Sequence, residues 1–262
     1  MYMSHWETRD VRLDNWPLMS SLWPTLVLSA SYLYFIYSHG PKMMKSRQAF
    51  EMKGFMNLYN LVQIYGSMYM FINFLKGGWY NDYNLLCQPV DFDPDPSGKG
   101  MLMVQTCYIC YLSKLLDLLD TVFFVLRKKD NQITFLHVFH HVSMPIYAWI
   151  EVRWVPGGHE TFGPLINSFI HFLMYTYYFL SSFGPAMQKY LWWKRYLTQL
   201  QMIQFIMVLC KSSLLVFGFV DCGYPWQWSA VTAGFMVAFF ILFFQFYVEA
   251  YLKKGRKNKK VN

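Results

Sequence analysis

Three of the chain's seven histidines, His137, His140 and His141, fall within five residues in the run Phe-Leu-His-Val-Phe-His-His-Val. At i, i+3 and i+4 they occupy one helical turn and one face. Neutral imidazole can take an acyl group as a nucleophile or a proton as a general base. Two histidines four apart, His137 and His141, could also hold a zinc ion together with Asp117 or His171. A di-iron centre ligated by histidine needs several such boxes, and only one is present. The run lies in a long apolar segment, where ionisable groups are costly and mark function by default.

The elements that must position these rings read as membrane spans. Of 262 residues, 55% are hydrophobic and only 15% charged, against about 25% charged in a soluble domain. A span needs roughly 20 mostly apolar residues. Seven segments qualify: 23–38, 55–75, 101–126, 134–150, 162–183, 197–220 and 228–251. The first is short and could begin nearer Leu18, across Pro24. Residues 1–16 are polar and lack the apolar core of a cleaved signal peptide, so all seven spans are expected to persist. The fold class expected is therefore an all-α membrane protein with seven transmembrane helices. Residues 1–262 read as one membrane-embedded domain, with a luminal N-terminus at 1–16 and a basic tail at 252–262.

Charge sets the orientation. With alternating sides, one side carries 16 Lys+Arg, including Arg127, Lys128, Lys129, Lys194, Arg195 and the tail, and the other carries 5. The positive-inside rule puts the N-terminus outside and the C-terminus in the cytosol. The net charge of +8 is thus mostly topology, and no basic module interleaved with aromatics suggests a nucleic-acid partner. Lys259 and Lys260, fourth and third from the end, match a dilysine retrieval signal of the endoplasmic reticulum, an address rather than an anchor. Cys87 and Cys222 fall in two loops on the non-cytosolic side, where a disulfide is compatible with the compartment. Cys107 and Cys110, one turn apart in the third span, read as buried packing residues. The Asp- and Pro-rich segment 87–100 reads as a solvated acidic loop, since the glycine and the closing glutamate of a calcium loop are missing.

Polar stripes mark four spans. Lys114, Asp117, Asp120 and Thr121 share a face of the third, and the three histidines share a face of the fourth. Asn167, His171, Tyr175 and Tyr178 line up on the fifth, and Thr198, Gln201, Gln204 and Lys211 on the sixth. Such faces must turn away from lipid and converge on a shared interior. By depth, the reactive groups cluster in the cytosolic half, and the luminal half is expected to offer mainly apolar and aromatic wall. That suits a substrate with a polar head and a long apolar tail.

Lys114-x-x-Asp117-x-x-Asp120-Thr121, His137-x-x-His140-His141, His171-x-x-Met174-Tyr175-x-Tyr177-Tyr178 and Thr198-x-x-Gln201-x-x-Gln204 resemble, in order, the motifs of very-long-chain fatty acid elongases. One position departs: Asp117 stands where that family usually has Glu. The resemblance implies residence in the endoplasmic reticulum and condensation of acyl-CoA with malonyl-CoA to 3-oxoacyl-CoA, carbon dioxide and CoA, with no cofactor. It implies spans two to seven as a closed six-helix barrel of two inverted three-helix units around an acyl tunnel. It implies His140 as acyl acceptor, His171 assisting, and His137 and His141 orienting it or acting as base. Lys114, Asp117 and Asp120 would hold the histidine face. Asn167, Tyr175, Tyr178, Gln201 and Gln204 would bind thioester or pantetheine groups. Arg127, Lys128, Lys129, Lys194 and Arg195 would meet CoA phosphates. Partners implied are membrane lipid and the reductases and dehydratase of an elongation cycle, and a homodimer is one assembly the sequence allows. Competing classes are a metal-dependent lipid oxidase or hydrolase, and a seven-span receptor or transporter.

Overall fold

The computed structural model describes residues 9–253; Lys259 and Lys260 lie outside them. All regular structure among the described residues is helical. The long helices are α1 (Trp23–Tyr34), α3 (Lys53–Phe74), α4 (Lys99–Leu116), α6 (Phe135–Trp154), α7 (Phe162–Ser181), α9 (Lys194–Val216) and α10 (Trp226–Tyr247). Three short ones are α2 (Gly40–Met44), α5 (Leu118–Leu126) and α8 (Pro185–Gln188).

Several expected boundaries move for local reasons. Leu18 has φ of 64°, so no helix starts there. α1 begins at Trp23 with Pro24 in its first turn, where the missing N–H is harmless. It runs on through a wide turn, Phe35–His39, into α2, so helix occupies part of the expected 39–54 loop. The third segment is divided at Asp117, where Asp120 N bonds back only three residues, to Asp117 O at 3.1 Å. α6 is capped by Thr134, whose side chain accepts from His137 N, as an N-cap should. It extends past Ile150 to Trp154, which brings Arg153 into the helix rather than a loop. There Arg153 is 2% exposed, paired with Asp14 and donating to Asp10 O at 2.7 Å.

Packing joins α3 to α4 and α7, α4 to α6, α6 to α10, α10 to α9, and α9 to α7. α1 packs outside, on α6. The buried faces meet in a core of Met103, Val104 and Tyr111 from α4 and Trp149 and Val152 from α6, closed by Leu13 and Met19 of the N-terminal segment. Outward faces are apolar too. On α3 the exposed residues include Phe55, Leu58, Leu61, Val62, Tyr65, Tyr69 and Ile72, a stripe at helical spacing that suits lipid rather than water. By length and composition, Lys194–Val216 and Trp226–Lys253 are long and apolar enough to cross a membrane.

The connections at one end are tied together. A disulfide joins Cys87 to Cys222 with Cα atoms 5.9 Å apart. Gly158, at φ of 68°, lets the α6–α7 turn press on the Gln88–Pro89 backbone, where a Cβ would come within 2.9 Å. That geometry requires glycine. The acidic loop is ordered by its own side chains: Asp91, Asp93 and Asp95 each accept from the backbone N–H two residues on, and Arg12 donates to the carbonyls of Asp91 and Asp93.

Candidate active site

Asp117 is the hub of the buried polar network. Its carboxylate accepts from Gln63 Nε2 at 2.6 Å and from the Tyr175 hydroxyl at 3.1 Å, and pairs with Lys114 Nζ at 3.4 Å. Tyr175 also lies 3.1 Å from Asp120 Oδ2, and Lys114 donates to Asn167 Oδ1 at 3.1 Å. Helices α3, α4, α5 and α7 thus converge on one cluster. A buried carboxylate is tolerated only when paired and hydrogen-bonded, and Asp117, 3% exposed, is both. Asp117 is one methylene shorter than the glutamate usual at this position, yet Gln63, Lys114 and Tyr175 all reach it.

The three histidines divide. His137 Nε2 lies 2.7 Å from Thr121 Oγ1, which in turn lies 2.7 Å from the Tyr32 hydroxyl, so His137 is bound toward α5 and α1. His141 packs tilted against His137 with ring centroids 4.1 Å apart, and its buried Nδ1 has no hydrogen-bond partner. His140 packs against Phe239 of α10 at 5.2 Å and is the histidine of the three that opens on a cavity. His171 packs edge-on to Tyr175 at 5.8 Å, within electrostatic range of His140, His141, Lys114 and Asp117. No group of three or more His, Cys, Asp or Glu side chains among the described residues is arranged to hold a metal ion.

The cavity holds about 90 Å³ and is enclosed by α4, α6, α7, α9 and α10. At one end stand His140, Lys114, Asn167 and Gln204. Gln204 Oε1 is buried there with no partner, an amide ready to meet a ligand group. The middle is walled by Met144, Ala148, Phe205, Val208, Met236 and Phe239. Cys107 and Cys110 are buried and line it as well, so thiols share the space onto which His140 opens.

The far end corrects an expectation. It is not an apolar wall: Tyr147, Glu151, Glu160, Thr161 and Thr232 line it. Glu160 accepts from Ser212 and Ser229, and Tyr147 bonds to Glu151 and Thr232. Behind them Lys211 donates to Leu85 O at 2.6 Å and lies 5.0 Å from the centroid of the Trp79 ring. His159, 1% exposed, donates through Nε2 to Lys211 O at 3.1 Å. Burial, reinforced by Lys211, pushes His159 down to about 4. Burial raises Glu160, against the pull of its hydroxyl partners.

Other expected site residues stand apart. Tyr178 is 42% exposed and packs on Tyr175 and Tyr177 instead of joining the buried network. Gln201 Nε2 donates to the Met174 sulfur, at 3.8 Å, rather than joining the Asp117 cluster. Arg127, Lys128 and Lys129 close α5. Lys194 and Arg195 begin α9 on helix rather than loop. Arg195 donates to the Tyr247 hydroxyl at 2.6 Å, and Lys194 faces the Tyr177 ring. None of these five cations lines the cavity. Sequence reasoning missed Gln63, Tyr59 and Tyr32. A signal existed for Gln63: Asn60, Gln63 and Ser67 form a polar stripe at i, i+3 and i+7 on α3, and all three are buried. Tyr32 and Tyr59 carried no such signal among so many aromatics.

Known proteins are similar to this chain in sequence over nearly its whole length. A very long chain fatty acid elongase 7 of Drosophila melanogaster is 43% identical over 250 residues, covering 95% of this chain and 75% of that protein. A very long chain fatty acid elongase 4 of Homo sapiens is 42% identical over 259 residues, 98% and 80% of the two chains. A very long chain fatty acid elongase 2 of Mus musculus is 44% identical over 252 residues, 96% and 84%. The model of the GNS1/SUR4 (ELO) family matches residues 17–259, and with relatives at this identity the chain belongs to that family.

Proposed function

We propose that this protein is a 3-oxoacyl-CoA synthase that condenses a long-chain acyl-CoA with malonyl-CoA in the first step of very-long-chain fatty acid elongation. The observation that carries the reading is His140: it alone of the three clustered rings opens on an elongated, mostly apolar cavity. Lys114, Asn167 and Gln204, whose Oε1 has no partner, surround it there.

In the first half-reaction the His140 imidazole attacks the thioester carbon. The C–S bond breaks, and the leaving CoA thiolate takes the imidazole proton. In the second, malonyl-CoA loses its carboxylate as carbon dioxide, and the freed electron pair forms the new C–C bond at the acyl carbon. The C–N bond breaks, and the imidazole regains a proton from water or from His171. Lys114 and the Gln204 amide stabilise the carbonyl oxygens on which charge develops, while Asp117 and Gln63 hold Lys114 in place. Tyr175 supports Asp117 and Asp120. His137, bound to Thr121, and His141, packed on His137, orient the helix turn. Arg127, Lys128, Lys129, Lys194 and Arg195, at the ends of α5 and α9 near the cavity's histidine end, take the CoA phosphates. The substrates are acyl-CoA and malonyl-CoA, and no cofactor enters.

We place the chain in the endoplasmic reticulum membrane with seven spans, the N-terminus in the lumen and the C-terminus in the cytosol. The pairings among α3, α4, α6, α7, α9 and α10 support a closed six-helix barrel of two inverted units with α1 outside. The Cys87–Cys222 bridge suits a luminal face. The polar cavity end beside His140 then faces the cytosol, where CoA thioesters are supplied. The reductases and dehydratase that process a 3-oxoacyl product are the partners this chemistry requires.

The test is mass spectrometry of the purified protein after incubation with acyl-CoA alone, paired with turnover of labelled malonyl-CoA. An acyl adduct on His140, lost in His140→Ala together with turnover, is expected. An adduct on Cys107 or Cys110, or a His140→Ala protein that still turns over, overturns the assignment.

A further inference from the structure

The far end of the cavity offers chemistry that a methyl-terminated chain does not use. Tyr147, Glu151 and Thr232 project from α6 and α10 onto it, with the Tyr147 hydroxyl 2.6 Å from Thr232 Oγ1 and bonded to Glu151. Glu160 is occupied by Ser212 and Ser229 and Thr161 by Gly158 and Trp79. Glu151 accepts Tyr147 through one oxygen, whereas a carboxyl group offers about four acceptor positions. A polar group that lines a cavity otherwise walled by methionine and phenylalanine stays desolvated unless a ligand or water meets it.

Resting on the condensing reading above, we propose that this end is a subsite for a polar ω-terminus, so that the enzyme extends ω-hydroxyacyl chains as well as ordinary ones. Glu151 lies eleven residues beyond His140 on α6, which at about 1.5 Å per residue places it about 16 Å away along the helix. An extended chain advances about 1.2 Å per bond, from three bonds in about 3.5 Å, so a terminal carbon about 14 bonds from the reacting carbon reaches Glu151. A hydroxyl on that carbon donates to Glu151, beside the Tyr147 hydroxyl that Thr232 holds in place. On a shorter chain the same hydroxyl stops among Met144, Ala148 and Phe205, with nothing to bond.

The experiment compares acyl-CoAs of matched length ending in methyl or hydroxymethyl, over a ladder spanning that reach, with the purified full-length protein and labelled malonyl-CoA. An apolar pocket disfavours an added hydroxyl by about 100-fold. The ratio of kcat/KM, hydroxyl over methyl, is therefore expected near 0.01, on the order of that penalty, for short chains, rising to one or above at the length that meets Glu151. Thr232→Val is expected to lower the ratio at that length alone. A ratio that stays low, or falls, as chains lengthen overturns the proposal. Thermal stabilisation by the same ligands supplies a readout independent of turnover. If no acyl-CoA is extended at all, the condensing reading fails, while the preference in stabilisation still decides the subsite.

Discussion

Gln63 Nε2 lies 2.6 Å from Asp117 Oδ1, joining the middle of α3 to the break between α4 and α5. Both residues are buried. Replacing Gln63 by Leu removes one donor from a carboxylate that cannot reach water, and a buried acceptor left short costs about 1–3 kcal/mol. Gln63→Leu should melt earlier than wild type in detergent and turn over more slowly, because Asp117 sets the position of Lys114. A variant with unchanged melting and rate would show that the α3 contact plays no part.

The division among the histidines predicts unequal variants. His140→Ala should lose at least about 100-fold in turnover, the scale of a proton-transfer or nucleophilic group. Thr121→Val breaks the contacts to Tyr32 and His137, with about 1–3 kcal/mol of destabilisation and a much smaller rate loss. Rates measured at matched folded fraction check this, and equal losses in the two variants would contradict it.

The Cys87–Cys222 bridge spans 135 residues. Removing a native disulfide of long span typically costs about 2–5 kcal/mol. Cys87→Ser, Cys222→Ser and the double variant should show the same lowered melting temperature, since each deletes the same link. Reductant should bring wild type to that value and leave the variants where they are.

His159 gives a pH signature. Its folded value is pushed down to about 4 by burial beside Lys211, whereas an unfolded histidine titrates near 6.5. Between these values the unfolded chain binds a proton that the native state refuses, so this group lowers stability as pH falls from about 6.5 toward 4 and contributes nothing above. The slope is at most about 1.4 kcal/mol per pH unit. Glu160, raised by burial, titrates with the opposite sign nearby. The contribution is therefore read as the difference between wild type and His159→Gln, whose stability profile should be flatter over this window. Parallel profiles would refute it.

Much of the architecture was legible because it depends on local chemistry. Apolar runs of span length mark the helices, and the spacing of His137, His140 and His141 alone puts three imidazoles on one turn. The stripes on the third to sixth segments name residues that do meet, among them Lys114, Asp117 and Asn167. Boundaries slipped where packing extends a helix beyond its apolar stretch, as at Arg153, whose charge is matched by Asp14 from a segment 139 residues away.

What the linear chain could not decide is which partner each group finds and which way it faces. The i, i+3, i+4 spacing treats the three histidines alike; only the approach of Thr121 and Tyr32 on one side and of α10 on the other turns His137 away and leaves His140 on the cavity. The stripe of Asn60, Gln63 and Ser67 marks a polar face on α3, but that Gln63 meets Asp117 is decided only when α3 docks against α4 and α7. Glu151 and Glu160 fall between two apolar segments, 134–150 and 162–183, and only the packing of α9 and α10 makes them the end wall of the cavity. Helical periodicity is a property of neighbours within a turn, whereas the depth, direction and solvation of a side chain are set by helices brought together from far apart in sequence.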